Sequence, residues 1–377
     1  MNQEKKNKNK NLILITGGHA TPAIACIDEL RLRGYENLIY IGQKKSLLFD
    51  KNPSSEFRLI TEQVQIPFKS IIAGKVSLFP NFHSLIWFLR LPIGFIQALF
   101  WILFYKPKLI LTFGSHVGVP VVFWGWVFRI PIIAHEQTTT IGRSNKFIQK
   151  FARKVCLSWL EMMHDGEKFV LTGNPVRKEI LNSPQADFDF SDKSKKLLLI
   201  TGGNQGSHAI NEFIFGYLPK LILKYNVLHQ TGSNTLFNDY AKARELEEKI
   251  NKSSKCYLAK DYIFSEEMSV ALNNASIIIS RAGANSVTEF LVLKKKALFI
   301  PIATSSGNEQ FLNARLLEKL RLAKSINQAD LPIINLIELL ESIESLEPDF
   351  DEIEKISELH KNAQKKIIDI VEEVLKR

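Results

Sequence analysis

Twice in this chain an aliphatic run ends in the same four residues. Asn11 to Thr16 (NLILIT) leads into Gly17-Gly18, and Lys196 to Thr201 (KLLLIT) leads into Gly202-Gly203. A strand covered on both faces reads as a continuous apolar run, and helices between such runs imply parallel crossovers. Helical-period segments do follow both turns, from about Pro22 to Arg33 and from about His208 to Lys224. Further strand-like runs at 37–41, 108–112, 131–134 and 154–157 extend the first half, and runs at 226–229, 256–258, 276–280 and 297–301 extend the second. The chain is therefore expected to be α/β, with two Rossmann-like, doubly wound domains facing a cleft. Its 377 residues also exceed what one core of about 150 residues accommodates.

The expected domains are 11–174 and 175–350, with the boundary at Asn174-Pro175. The polar stretch Asn182 to Lys195 serves as a connection or surface excursion. A final helix over 351–377 carries heptad-like apolar positions and is expected to return to the first domain, while the basic residues 1–10 read as a disordered tail.

Composition narrows the class further. Lys and Arg exceed Asp and Glu by 49 to 39, a balance of +10 that favours phosphate, nucleic acid or an anionic membrane face. No RRM, KH or helix-turn-helix signature supports nucleic acid, so that partner is not expected. Cys26, Cys156 and Cys256 are widely spaced and odd in number, which argues against a disulfide framework or a zinc cage and for a reducing compartment. Residues 1–10 lack the apolar region of a secretory signal.

One segment departs from the α/β plan. Leu78 to Tyr105 is dominated by Phe, Leu, Ile and Trp and carries a single formal charge, Arg90; a spanning helix needs roughly 20 apolar residues, and Pro92 and Gly94 interrupt the longest uncharged stretch. Two readings stand: a pair of buried crossover helices, or an apolar face flanked by Lys69, Lys75, Arg90, Lys106 and Lys108 that rests in a bilayer interface.

The chemistry-bearing motifs cluster after the strand-like runs. A glycine turn between strand and helix exposes backbone N–H groups at the positive end of the helix dipole, where phosphate oxygens can sit. Thr16-Gly17-Gly18-His19 and Gly202 to Gly206 are such turns. Neither is a dinucleotide fingerprint or a P-loop, so nicotinamide cofactors and ATP hydrolysis lose their usual support. His19 is either a neutral imidazole able to accept a proton or a helix-start residue with no catalytic duty. His135-Glu136-Gln137 follows a strand, where open α/β sheets bind ligands. Arg177, in Gly173-Asn174-Pro175-Val176-Arg177, offers a fork that can clamp a diphosphate. Ser280 to Glu289 runs through a glycine turn into a helix, where Glu289 either accepts from a ribose diol or lies on a solvated face. Gln310 opens another helix with an amide suited to sugar hydroxyls. The D-x-D pairs Asp187/Asp189 and Asp349/Asp351 lie in charged connections, and no metal or other cofactor is expected.

In their order, TGGH, HEQ, Asn145-Lys146, GNPVR, GG-x-QG, the HQ-x-G of His229 to Gly232, R-x-GA with a downstream Glu, and the Q-x-x-NA of Gln310 to Ala314, these motifs resemble the MurG family of glycosyltransferases over roughly Leu12 to Leu322. The resemblance implies a GT-B fold and transfer of GlcNAc from UDP-GlcNAc to undecaprenyl-diphospho-MurNAc-pentapeptide, at the cytoplasmic face of the plasma membrane as a peripheral protein. By the same resemblance His19 matches the general base, and Thr16, Gly17 and Gly18 match the donor-contacting turn. Arg177 and Asn204, with Gln205 and Gly206, match the diphosphate contacts; Ala284, Asn285, Ser286, Val287, Thr288 and Glu289 match the nucleoside-binding stretch; Gln310 matches the GlcNAc contact. Thr138 stands where the family usually has Asn and is placed with the donor contacts, and His135, Glu136, Gln137, Gly114 and His116 are acceptor-side candidates. The segment 69–108 corresponds to the family's membrane patch, implying an anionic membrane surface as a partner. The family's first loop commonly reads GGTGGH, whereas Leu14-Ile15 stand here in place of the leading glycines. The implied reaction is a single inverting displacement. Its alternatives are a related enzyme acting on another lipid acceptor and a non-catalytic UDP-sugar-binding protein.

Overall fold

The computed structural model describes residues 11–45, 53–74, 82–182, 184–303 and 306–376. The basic tail 1–10, Lys75 and residues 78–81 of the apolar segment lie outside these, as do the side chains of 82–90, including Arg90. The chain divides into two compact units, one made of the residues up to Arg177 together with Leu359–Arg377, the other of Lys178–Glu358.

In the first unit seven parallel strands, β1 (Ile13–Thr16), β2 (Leu38–Gly42), β3 (Phe68–Ser70), β4 (Leu109–Thr112), β5 (Ile132–Glu136), β6 (Lys154–Leu157) and β7 (Phe169–Leu171), lie in the order 3-2-1-4-5-6-7. Helices α1 (Ala20–Leu32), α2 (Phe82–Tyr105), α3 (Ser115–Val127) and α4 (Arg143–Phe151) make the crossovers. The second unit repeats the plan with six strands, β8 (Lys196–Thr201), β9 (Tyr225–Gln230), β10 (Tyr257–Lys260), β11 (Ala275–Ser280), β12 (Lys296–Phe299) and β13 (Ala323–Ser325), in the order 10-9-8-11-12-13. Its helices are α5 (His208–Lys224), α6 (Asp239–Ile250), α7 (Ser265–Asn274), α8 (Ala284–Val292), α9 (Glu309–Lys319) and α10 (Leu336–Glu344), followed by α11 (Phe350–Lys361) and α12 (Ala363–Lys376). In both sheets the strand order reverses beside the first strand, between β1 and β4 and between β8 and β11. Doubly wound sheets bind ligands at that switch point, outside the carboxyl ends of the strands.

β1 and β4 are buried along their whole length and β11 at every residue but Ser276, which is why they read as aliphatic runs. Leu14 and Ile15, at the place of the family's leading glycines, are fully buried core residues of β1. Three short strands, β3, β7 and β13, had no counterpart among the expected runs; each has three residues, and β3 and β7 form the two edges of their sheet. The expected pair of helices over Leu78 to Tyr105 is instead the single helix α2, which continues through Pro92. Among the described residues no helix is long and apolar enough to cross a membrane.

The C-terminal segment also differs from the single helix expected over 351–377. It forms α11 and α12, broken at Asn362. The chain passes between units at 177/178 and again within α11, at 358/359, rather than at 174/175 and 350/351. Early in α11, Glu354 pairs with Lys294 at 2.5 Å and Ser357 donates to the Leu291 carbonyl at 3.3 Å, both within the second unit. Packing of α12 on α1 then inserts Ile367, Ile368, Val371 and Val374 into the first core. Arg33 at the end of α1 binds Glu29, Asp369 and the Lys365 carbonyl.

Where the two chain passages meet the first unit they are fastened together. The Asn174 N–H donates to His360 Nδ1 at 2.8 Å, and the His360 ring lies 4.5 Å from that of Trp159. Gly173 has φ +88°, and a Cβ there would stand 2.6 Å from the Leu359 carbonyl oxygen. Burial pushes His360 down to about 3 and His135 down to about 4 from the ordinary 6.5; in the second unit His229 falls to about 3 for the same reason. These rings are neutral in the folded protein and charge readily in the unfolded one. The unfolded state thus binds more protons below pH about 6.5, and stability falls as pH drops from there toward the folded values. At pH 5 each such ring costs on the order of 2 kcal/mol. The urea midpoint is expected to fall between pH 7 and pH 5, and to fall less in His360→Gln, whose amide oxygen can still accept from Asn174; an equal fall in both proteins would contradict the assignment to His360.

Candidate functional site

At the switch point of the first sheet, the turn after β1 and the turn after β4 touch backbone to backbone. Gly17 has φ +141°, and a Cβ there would meet the Phe113 backbone at 2.9 Å; at Gly18 it would meet Ser115 Oγ at 2.6 Å. The two glycines are therefore required by close approach of the neighbouring turn, and Gly18 remains exposed. Thr16 ends β1 with a buried Oγ1 that has no partner among the described residues.

His19 occupies the N-cap position of α1, in extended backbone, and its side chain makes no capping hydrogen bond. The residue is half-buried, and desolvation pushes its imidazole down from 6.5 to about 4, so the ring is a neutral acceptor near pH 7.

The acceptor-side candidates form a buried network. Glu136 Oε1 accepts from the Thr138 N–H (3.2 Å) and Oγ1 (2.9 Å), while Oε2 accepts from Asn145 Nδ2 at 2.7 Å. Asn145 Oδ1 in turn accepts from the Ser115 N–H at 2.9 Å. At Gly114, φ +76°, a Cβ would stand 2.5 Å from that same Asn145 oxygen. Glu136 and Asn145 thus tie three loops together, and Asn145 is a positioning residue that the motif Asn145-Lys146 marked in sequence without a role. His135 Nε2 lies 3.1 Å from the Gly173 carbonyl and 3.2 Å from Ser158 Oγ, leaving the buried Nδ1 without a partner among the described residues. With Nε2 as the donor to Gly173, Nδ1 is the acceptor nitrogen. Gln137 is buried, with Oε1 likewise unpartnered among the described residues, and His116 Nδ1 lies 3.1 Å from Ser115 Oγ. A small pocket beside this network is lined by Gly114, His135, Glu136, Asn145 and Gln149. Arg177 is the last residue of the first unit, half-buried at the end of the GNPVR turn.

In the second sheet the same construction lies between the turns after β8 and β9, on the side of β8 away from the switch point. Gly206 (φ +79°) faces Gly232 (φ +95°), and a Cβ on Gly206 would stand 1.9 Å from the Thr231 carbonyl oxygen. Asn204 and Gln205 are exposed on this turn, and the Asn204 carbonyl accepts from the Ser233 N–H at 3.1 Å. Ser207 stands at the N-cap position of α5 without a capping bond from its side chain, and its hydroxyl accepts from Arg281 Nη2 at 2.5 Å. Arg281 also donates to the Ile300 carbonyl and to Gln328 Oε1, both at 2.7 Å, so the arginine of R-x-GA braces the turn after β11.

Within the stretch Ala284 to Glu289, Ala284, Val287, Thr288 and Glu289 are buried and Asn285 and Ser286 half-buried. Thr288 Oγ1 donates to the Ala284 carbonyl at 2.9 Å. Val287 is fully buried, which leaves its side chain to the core, and Glu289 is 8% exposed, so the solvated-face reading of this glutamate is set aside. Gln310 Oε1 accepts from the Ile302 N–H at 3.0 Å.

The acidic pairs are engaged elsewhere. Asp187 binds Lys193 at 2.6 Å, Asp189 binds Lys255 at 2.5 Å, and Asp349 Oδ1 accepts from the Glu352 N–H at 3.1 Å. Among the described residues one group, His208, Glu212 and Asp239, has metal-ligand types within reach of one another. Its atoms already bind each other and Lys242: His208 Nδ1 to Asp239 at 2.8 Å and Lys242 to Glu212 at 2.7 Å. Such a set, with a cation already on one carboxylate, fits a metal poorly.

Sequence models of the glycosyltransferase family 28 N-terminal domain and C-terminal domain match residues 15–157 and 197–372. They take in every candidate residue above except Arg177. A curated Clostridium kluyveri protein named UDP-N-acetylglucosamine--N-acetylmuramyl-(pentapeptide) pyrophosphoryl-undecaprenol N-acetylglucosamine transferase is 34% identical over 85% of this chain and 88% of its own length. A Clostridium botulinum protein of the same name is 32% identical over 85% and 86%. Among solved structures, Acinetobacter baumannii MurG superposes with a TM-score of 0.66 at 23% identity, covering 96% of this chain and 99% of that one. A kitacinnamycin glycosyltransferase reaches 0.67 at 14% identity, covering 97% and 99%. The fold is GT-B, and the chain belongs to glycosyltransferase family 28.

Proposed function

We propose that this protein transfers GlcNAc from UDP-GlcNAc to the MurNAc of undecaprenyl-diphospho-MurNAc-pentapeptide, inverting the anomeric carbon. The observation that carries this reading is the match, over 85% of the chain, to relatives whose printed name is that reaction. The geometry supports it: each sheet has a glycine turn at its switch point, and the first turn delivers a neutral imidazole.

In the reaction the acceptor hydroxyl loses its proton to His19 and attacks C1 of GlcNAc, while the C1–O bond to UDP breaks and the electron pair leaves on the diphosphate. The Gly18 amide and the turn after β8, at the start of α5, offer N–H groups and a positive dipole end to phosphate oxygens. Arg177 adds a cation, and Asn204, Gln205 and Gly206 the turn amides, to hold the leaving charge. Glu289 holds the ribose and Gln310 the sugar. A base at about 4 is weak for this task, and the negative charge of a bound diphosphate raises it. The acceptor-side network around Glu136 shapes the loops that receive the lipid-linked sugar.

Membrane engagement belongs to the same reading. On α2, Ile93, Ile96, Phe100, Leu103 and Phe104 recur at helical spacing and are 44–67% exposed. Trp124 in α3 donates to the Phe95 carbonyl at 2.8 Å, joining this helix to one that ends in exposed Trp126, Val127 and Phe128. The Lys69 ammonium lies 5.3 Å from the Trp101 ring centroid, placing a cation beside the aromatic face. Exposed aromatics with bordering bases suit the interface of an anionic bilayer at the cytoplasmic face of the plasma membrane.

Three outcomes follow. His19→Ala should lower kcat by about a hundredfold or more with little change in UDP-GlcNAc affinity, and in the parent protein the acid limb of kcat should lie at higher pH than that of kcat/KM; turnover within a few-fold of the parent removes His19 as the base. Glu289→Ala should raise KM for UDP-GlcNAc about tenfold, measured by release of UDP with a panel of lipid acceptors; transfer to a different lipid and not to the MurNAc lipid would replace the acceptor in this reading. The double variant Phe100→Ser, Phe104→Ser should lose co-sedimentation with phosphatidylglycerol vesicles while still using a short-chain, water-soluble acceptor.

A further inference from the structure

A half-buried carboxyl stands behind the turn that presents His19. Tyr40 lies in β2 with its ring fully buried, stacked on Phe68 at 5.6 Å. Its hydroxyl oxygen is 2.9 Å from the Gly17 carbonyl oxygen and 2.7 Å from Glu56 Oε1. Glu56 sits in the helical turn Ser55–Arg58, which is held firmly: Ser54 Oγ accepts from the Phe57 N–H at 3.1 Å and donates to the Gln43 carbonyl at 2.7 Å. The second carboxyl oxygen, Oε2, lies 3.4 Å from the Gln43 N–H.

The hydrogens in this arrangement can be counted. A phenol has one, and the Gly17 carbonyl has none to give. If Glu56 were ionised, the single hydrogen of Tyr40 would have to serve either the carboxylate or the carbonyl, leaving the other short O···O contact between two acceptors. Both contacts are satisfied together when the carboxyl carries a proton, donates it to the Tyr40 oxygen and lets Tyr40 donate to Gly17.

We propose that Glu56 is a positioning residue for the transfer reaction: in its protonated form it commits the Tyr40 hydrogen to the Gly17 carbonyl and so fixes the turn that carries His19. This rests on the reading of His19 as the base. Gly17 is clamped on its other side by the Phe113 backbone, so its carbonyl and its α-carbon are held from two directions. Burial supports the protonated form by pushing the Glu56 carboxyl up to about 7 against the hydrogen bonds from Tyr40 and Gln43. Among the described residues the titratable and charged groups on the surrounding elements are Tyr40, Lys44, Lys45, Arg58, Glu62, Lys69 and His19; the Lys44 ammonium lies over the Phe57 ring at 5.2 Å, and that of Lys69 over Trp101. Among the described residues none of the bases pairs with Glu56. As pH rises through about 7, Glu56 ionises, the Tyr40 hydrogen turns to the carboxylate, and Gly17 loses its donor.

The test compares Glu56→Gln, whose amide can donate to Tyr40 without titrating, with Glu56→Ala and Tyr40→Phe. Near pH 6 the glutamine variant should keep kcat within about twofold of the parent, and the other two should lose about tenfold with KM for UDP-GlcNAc unchanged. The parent should show a fall in kcat centred near pH 7 that the glutamine variant lacks. Difference infrared spectra of the substrate-free protein should show a protonated carboxyl near pH 6 that is ionised near pH 8 and absent from Glu56→Gln. A parent spectrum with that carboxyl already ionised near pH 6, a glutamine variant that keeps the alkaline fall, or a Tyr40→Phe variant with parental kcat would each overturn the proposal. Parental turnover in His19→Ala would instead overturn the base assignment and leave the infrared result standing.

Discussion

Backbone packed against backbone in the turn after the first strand of each sheet is the constraint on which the rest of this structure depends. Gly17 against Phe113 in the first unit, and Gly206 against Thr231 and Gly232 in the second, approach so closely that a single Cβ would displace a neighbouring loop. With the turns locked at that separation, the helix that follows each one starts at a fixed point on the sheet. N–H groups at a helix start attract anions only as well as they are aimed. The Glu136–Asn145 link does for the loops after β4 and β5 what Arg281 does for the turns after β8 and β11: each bridges neighbouring loops with side-chain hydrogen bonds.

This construction gives the conspicuous glycines of the chain a double meaning. Gly17 reads as a ligand contact by resemblance, yet its position is dictated by the adjacent turn, and Gly18 is the exposed residue of the pair. Likewise Val287 lies within a stretch that reads as nucleoside-binding by resemblance while its side chain fills the core.

Much of the fold was legible because its strands are buried on both faces and announce themselves as aliphatic runs. The strands that escaped notice, β3, β7 and β13, have three residues each and leave too short a pattern to separate from a loop. The apolar segment kept two readings open because composition records hydrophobicity and not which side of a helix is covered; the exposed Phe100 and Phe104 are visible only once α2 has a neighbour. Candidate site residues were found where a motif names them. Glu56 and Tyr40 belong to no motif, and the contact that joins them spans 16 residues of chain with nothing periodic in it. The break at Asn362 escaped for the opposite reason, since the apolar spacing runs on through it.

The return of α12 to the first unit has a consequence for how the protein is made. The core around α1 includes Ile367, Ile368, Val371 and Val374, residues near the far end of the chain from β1. Domains usually fold as units in the order in which they leave the ribosome. Here that order is inverted: the second unit, Lys178–Glu358, is continuous and complete first, while the first unit waits with one flank of its core uncovered until α12 has been synthesised. The half that carries His19 and the exposed aromatic helix is therefore the last to close.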